Sequence, residues 1–302
     1  MRSLARFVLF VAGCAWFAAA ASPALCLGAR WLADRTSWEV ASYLAGHPFH
    51  RYFNRCLQAA LLLGVWPLLK GTGFGSARAL GLRGPGFARG VALGLATGVG
   101  ALALYVALLL ALGGARLRDT PPFERLGGIL AGVALTAAVV SVLEEAFFRG
   151  YMFQLFRREA GRGLAYAAQV LVFPPIHFLK PADASALGPV DAWSGFRMLG
   201  AAFGHLGQFP AVAGGLAVLA AIAWMLCRAL EREGNLGLPI GMHAGWIVAL
   251  QLASQFLQPG TAVAGWPNWI LGGGNLSHGA LAVAPLAAQA LALGLFRARR
   301  AG

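Results

Sequence analysis

Chemistry in this sequence is confined to a few apolar stretches. The run Val142-Leu143-Glu144-Glu145-Ala146-Phe147-Phe148-Arg149-Gly150-Tyr151 places two adjacent carboxylates and a guanidinium in an otherwise hydrophobic segment. A charged carboxylate at a bilayer centre costs roughly 2.5–3.5 kcal/mol on an insertion scale, so such residues face a bundle interior or a wet cavity. Glu145 and Arg149 are four residues apart, share a helix face and can pair. Glu144 lies about 100° round the helix and is free to take up a proton. A helix-end salt bridge beside Arg157 and Arg158 accounts for Glu145 and Arg149, but it gives Glu144 no role.

Two histidines stand in other apolar segments. His177 follows Phe173-Pro174-Pro175-Ile176. Those prolines carry no N–H, so the carbonyls near Val170 and Leu171 lose their donors. Unsatisfied backbone is tolerated in a membrane where protein or a wet cavity surrounds it. His243 lies in Gly241-Met242-His243-Ala244-Gly245-Trp246, among small residues that permit close helix approach. Each histidine alone reads as an interfacial or capping residue, His177 near Lys180 and His243 near the aromatic-belt residue Trp246. Glu144, His177 and His243 come from three different helices, and one shared polar cavity would satisfy all three. A carboxylate with two imidazoles suits general-base and oxyanion work on a water molecule, and equally suits holding a metal.

The elements that must position these residues are membrane helices. Of 302 residues, 59% are apolar and 12% charged. Soluble domains run near half apolar and a quarter charged, so disorder, a nucleic-acid-binding tail protein and an ordinary cytosolic enzyme are excluded. Hydrophobic stretches predict an all-α polytopic bundle of about eight transmembrane helices, near 7–29, 54–69, 88–114, 127–156, 162–179, 209–230, 237–257 and 278–296. The whole chain, 1–302, reads as one integral membrane domain. Its helices over 1–125 lack diagnostic chemistry, 126–257 is the catalytic core, and 258–302 is a loop and last helix. Breaker-rich loops run from Lys70 to Pro85, Leu117 to Pro122, Pro181 to Pro210 and Pro259 to Ser277.

The net charge of +13, 24 basic against 11 acidic residues, reads as topology rather than as a nucleic-acid footprint. With a cytoplasmic N-terminus, 15 basic residues fall on the cytoplasmic side and 9 on the other, so both termini are expected in the cytoplasm. Val11-Ala12-Gly13-Cys14 resembles a lipoprotein cleavage box, but the apolar stretch runs on past Cys14, which predicts a retained first helix. The cysteines (Cys14, Cys26, Cys56, Cys227) form no CxxC pair and indicate neither a zinc ribbon nor a disulfide framework. The Arg- and Ala-rich composition with two lysines points to a GC-rich bacterial source, hence an inner-membrane location.

The series Glu144-Glu145-x-x-x-Arg149, Phe173-x-x-x-His177 and a late His243 resembles the CAAX prenyl protease and bacteriocin-processing (CPBP) family of intramembrane endopeptidases over about residues 127–257. The resemblance implies a glutamate-dependent hydrolysis of a peptide bond at the membrane. Glu144 then matches the carboxylate that activates water, and His177 the residue that orients or deprotonates it. Glu145 and Arg149 match a supporting pair, and His243 an oxyanion stabiliser. No cofactor is expected, although zinc has been proposed for such sites. The partners are a peptide or protein substrate and membrane lipid, with no nucleic acid. Where the family often carries Asn four residues after the last motif histidine, this chain has Ile247. A backbone N–H, a water or the Trp246 indole could replace that donor; Asn235 and Asn275 are weaker candidates.

Three rivals remain at this level. A metal enzyme would use the same side chains, without an HExxH motif. A proton-coupled transporter would use intramembrane Glu and His, but no inverted repeat is visible. A non-catalytic immunity or scaffold protein would tolerate Ile247. His47-Pro48-Phe49-His50 reads as an interfacial turn or a weak metal pair, the run Leu271 to Asn275 as a flexible loop, and Ser254 and Ser277 lack a nearby His/Asp grouping.

Overall fold

The computed structural model describes residues 2–120, 122–179, 188–207, 209–260, 265, 267–271 and 279–296. Lys180, the start of the loop at Pro181, Asn275, Ser277 and most of the run Leu271 to Asn275 lie outside them. The chain is an all-α membrane bundle. In order it forms α1 (Arg2–Arg35), α2 (Glu39–Ala45), α3 (Phe49–Thr72), α4 (Phe87–Ala111), β1 (Ala115–Leu117) and α5 (Leu126–Glu145). A π-helical segment, Ala146–Phe153, carries α5 into α6 (Gln154–Ala160). There follow α7 (Arg162–Ile176), α8 (Ser194–Ala202), α9 (Phe209–Glu233), α10 (Gly237–Phe256), β2 (Leu257–Pro259), α11 (Asn268–Leu271) and α12 (Val283–Ala292).

Each predicted span coincides with a helix, although the last is shorter than predicted. Among the described residues, four helical stretches are long and apolar enough to cross a membrane: Arg2–Arg35, Phe87–Ala111, Phe123–Ala160 and Val212–Glu233. Large apolar side chains such as Leu62, Leu63, Leu135, Leu143 and Leu171 stand exposed, as a surface built to face lipid requires.

The contacts divide the chain into two units. One comprises residues 1–75 and 178–208. Its core joins Ala18, Ala19 and Cys26 of α1 to Phe49, Phe53 and Cys56 of α3 and to Met198 of α8. In α3 the helix stops at Gly73, whose φ of 87° is the left-handed conformation that ends helices cheaply. Here His47 is committed to its own turn: its ring lies 4.7 Å from that of Tyr43 and its Nδ1 is 3.3 Å from Arg51.

The other unit, residues 76–177 and 209–302, holds all five candidate site residues. Its closest helix pairing is α4 with α10, and glycine permits it. Gly90, Gly94 and Gly98 on α4 meet Gly237, Gly241 and Gly245 on α10. A Cβ at Gly94 would stand 2.5 Å from the Leu238 carbonyl oxygen, one at Gly98 2.5 Å from that of Met242, and one at Gly245 2.6 Å from that of Leu95. Backbones this close exchange dispersion contacts that side chains would block, the usual device for packing helices in lipid. Behind α10, Tyr105, Leu109, Met225, Leu226, Met242, Trp246 and Leu286 form the main core. Strand β1 pairs antiparallel with β2, Ala115 opposite Pro259, and ties the ends of α4 and α10 together.

Candidate active site

Helix α5 is regular α through Glu145 and then widens into π geometry over Ala146–Phe153. Phe148 to Phe153 are buried in succession, so this stretch packs on every side. Gly150 lets the Leu80 carbonyl approach to 2.6 Å of where a Cβ would stand. Gln169 of α7 donates to the Phe148 carbonyl at 2.6 Å and anchors the segment from the other side. Short π segments inside α-helices frequently mark functional sites, and this one carries Arg149.

Glu145 and Arg149 pair as the spacing predicts, Arg149 Nη1 donating to Glu145 Oε1 at 3.0 Å with both side chains fully buried. The guanidinium carbon lies 4.2 Å over the Phe173 ring, a cation–π contact in a desolvated place. The same Oε1 accepts from His243 Nδ1 at 2.8 Å. Glu145 therefore bridges Arg149 and His243, a link between α5 and α10 that sequence spacing does not show.

Glu144 points elsewhere. Its Oε2 lies 3.8 Å from His177 Nε2 and 3.9 Å from His243 Nε2, beyond direct hydrogen-bond reach of both. The Glu144 and His177 side chains keep 30% and 32% of their surface, His243 11% and Glu145 none. Glu145 is thus sealed, whereas the Glu144 side chain is partly exposed with its Oε2 buried and unbonded between the two imidazoles.

The proline pair fixes the His177 tautomer. Helix α7 carries Pro174 and Pro175 through to Ile176, and the His177 N–H bonds the Pro174 carbonyl in a tightened last turn. This leaves the Phe173 carbonyl to the His177 ring, whose Nδ1 lies 2.8 Å away. A carbonyl only accepts, so Nδ1 carries the proton and, in the neutral ring, Nε2 faces Glu144 with its lone pair.

Depth follows from the helical hairpin. Gly161, at φ 86°, reverses the chain between α6 and α7. Glu144 stands 17 positions before it and His177 16 after it, so both lie ~25 Å from the turn at helical rise. The two side chains are therefore level, as their 3.8 Å approach requires. His243 reaches that level because α10 begins inside the unit. Leu236 N–H bonds the Gly81 carbonyl, and Asn235 Nδ2 the Pro85 carbonyl.

The search for a substitute at Ile247 also needs correction. The Trp246 indole is committed to Gln289 Oε1 of α12 at 3.0 Å, and Gln289 Nε2 continues to Thr97 of α4. Asn235 receives the Gly237 N–H on Oδ1 and starts α10. Neither faces the carboxylates as a donor, and Asn275 lies outside the described residues. Gln169, Gln289 and Thr97 escaped the sequence reading; a lone glutamine in an apolar helix is the signal that could have found the first two. Among the described residues no group of three or more His, Cys, Asp or Glu side chains is arranged to hold a metal.

Residues 126–249 match the family model described as Rce1-like, type II CAAX prenyl endopeptidase Rce1-like. The segment contains all five candidate site residues and agrees with the CAAX-protease resemblance; the match implies a peptidase hydrolase. No curated protein and no solved structure matches the chain.

Proposed function

We propose that this protein is an intramembrane endopeptidase in which Glu144 and His177 together activate water and His243 stabilises the oxyanion. One observation carries the reading: Glu144 Oε2, buried and without a hydrogen-bond partner, faces two imidazole Nε2 atoms at 3.8 and 3.9 Å. That spacing is too long for a direct bond, and a water admitted among the three groups with the substrate would bond each at ~2.8 Å. The Glu144 carboxylate and the neutral His177 Nε2 are both acceptors, so a water between them donates both its protons and turns a lone pair outward. Its oxygen attacks a peptide carbonyl as Glu144 takes one proton. Glu144 then passes that proton to the leaving amine.

His243 already donates Nδ1–H to Glu145. Donation from Nε2 to an oxyanion requires the doubly protonated ring, with Glu145 as its counter-ion and Arg149 holding that carboxylate charged. This arrangement leaves the Ile247 position without a required role. The substrate is a peptide or protein segment at the membrane, cut without a metal cofactor. The location is a bacterial inner membrane, with both termini cytoplasmic.

Peptidase profiling of the purified chain on a peptide library, with prenylated and unmodified C-termini, tests the reading. Cleavage should survive a chelator and fall at least ~10²-fold in Glu144→Gln, the scale of general acid–base catalysis. Full activity in that variant refutes the role of Glu144. Loss with chelator and recovery with zinc refutes the metal-free version.

A further inference from the structure

A second polar cluster lies in the same unit, far along α7 and α9 from the carboxylates and unused by the reaction. Glu231 of α9, one-tenth exposed, takes Arg162 at 2.9 Å, Arg228 at 3.1 Å and the Tyr166 hydroxyl at 2.8 Å. Arg157 approaches only to 3.9 Å. Arg232 turns to Glu233 at 3.5 Å. Four guanidiniums therefore meet two carboxylates, and positive charge is left over. It is left over on the surface: Arg157, Arg162 and Arg232 keep 53%, 60% and 49% of their side-chain area.

These groups rim a cleft of about 1210 Å³ whose opposite wall is apolar. Trp224 and Phe296 stack there at 5.0 Å, and Leu291 stands exposed beside them. The cleft opens where the apolar stretches Phe123–Ala160 and Val212–Glu233 end. A cationic rim and an apolar wall at a helix end present two chemistries side by side. Guanidinium forks match phosphate oxygens bidentately, while the indole and phenyl rings match hydrocarbon. Basic pockets between membrane helices take lipid headgroups by this combination.

We propose that this cleft binds the phosphate of an anionic phospholipid, Arg157 and Arg162 holding the headgroup and the Trp224–Phe296 wall lining the first part of its acyl chains. Glu231 is the organiser: it uses up one edge of Arg162 and fixes Arg228 against the Leu295 carbonyl, leaving the outer guanidinium faces turned to the ligand. The proposal does not depend on the peptidase reading, and a catalytically dead Glu144→Gln chain should bind equally well.

Native mass spectrometry of the purified full-length chain with short-chain phosphatidylglycerol, phosphatidylcholine and inorganic phosphate tests it. Phosphatidylglycerol should bind in preference to phosphatidylcholine, and Arg157→Gln and Arg162→Gln should each weaken it about fivefold, the effect of one basic residue at an anionic headgroup. Phe296→Ala should weaken the lipid and leave inorganic phosphate unchanged. Arg157→Gln breaks only a long ion pair, so it reads the site even if Arg162→Gln fails to fold. Equal binding of the two lipids, or undiminished phosphatidylglycerol binding by a folded Arg157→Gln chain, overturns the proposal. Displacement by inorganic phosphate with no dependence on the lipid tail assigns the anion to a free phosphate and overturns the lipid assignment.

Discussion

Glu144 and Glu145 are chain neighbours with opposite surroundings, and substitution should separate them. Glu145 is fully buried and holds both Arg149 and His243. Glu145→Gln leaves the Arg149 guanidinium charged in a desolvated place, and removing one partner of a buried ion pair costs about 3–5 kcal/mol. Glu144 is partly open, and its carboxylate makes no short bond whose loss would destabilise the fold. Thermal unfolding in detergent should show Glu145→Gln strongly lowered and Glu144→Gln near wild type, while both lose peptidase activity. An equal loss of stability in the two would contradict the division of labour. Trp246→Phe tests the oxyanion assignment from the other side: it removes the indole donor to Gln289, and a buried acceptor left unpaired costs about 1–3 kcal/mol. Turnover per folded molecule should stay within a few-fold of wild type. A drop of ~10²-fold, the effect of deleting an oxyanion donor, would return the indole to the reaction. All five candidate site residues were legible as charges and imidazoles out of place in apolar runs. Their pairing was not, because 98 residues separate Glu145 from His243, and periodicity says nothing about orientation at that range.

At the scale of elements, the position of His243 depends on the approach of α10 to α4. Gly241 stands two residues before it, and a Cβ there would collide with the Val91 carbonyl oxygen; at Gly94 it would meet Leu238 and Met242 backbone at 2.5 and 2.6 Å. Backbone cannot yield as a side-chain tip can, so Gly241→Val should push the helices apart. The expected result is destabilisation at or above the ~1–3 kcal/mol of an overpacked core, with loss of peptidase activity through His243. Gly100 lies on α4 with nothing within 4 Å of its Cβ position. Gly100→Ala should therefore be neutral or stabilising by up to ~1 kcal/mol from helix propensity. Denaturation midpoints of the two variants check both expectations together. The glycines at 90, 94, 98 and 237, 241, 245 were present in the sequence at a fixed spacing of four, but their abundance elsewhere in the chain hid the stripe. The π segment had no such signal. Its wider turn depends on neighbours that bury Phe148 to Phe153 on all sides, and those neighbours come from Leu80 and Gln169, distant in the chain. The short pairing of β1 with β2 was missed for the same reason: three-residue strands at the ends of long helices carry no alternation to read.

At the scale of the molecule, the question is which side of the membrane each basic cluster occupies. The stretch Phe123–Ala160 is 38 residues long, ~57 Å at helical rise against a hydrocarbon core of ~30 Å. Its two ends cannot both lie within the core, so Arg157 and Arg158 at one end and Glu124 and Arg125 at the other are expected at interfaces on opposite sides. The loop-by-loop excess of basic residues predicts that the Arg157 end lies in the cytoplasm, and Arg228 and Arg232 share its cleft. Arg116, in β1 at the far end of α4, is expected on the other face. The chain is suited to a direct test, because Cys14, Cys26, Cys56 and Cys227 are all buried and free, which leaves a low background for an impermeant maleimide. Arg157→Cys should label only from the cytoplasmic face, in inverted vesicles, and Arg116→Cys only from the opposite face, in intact spheroplasts. The reverse pattern would invert the whole molecule and place the peptidase's phosphate cleft in the outer leaflet. Labelling of both positions from one side would show that the long helix does not cross at all, and with it the premise that Glu144 works within the bilayer would fail.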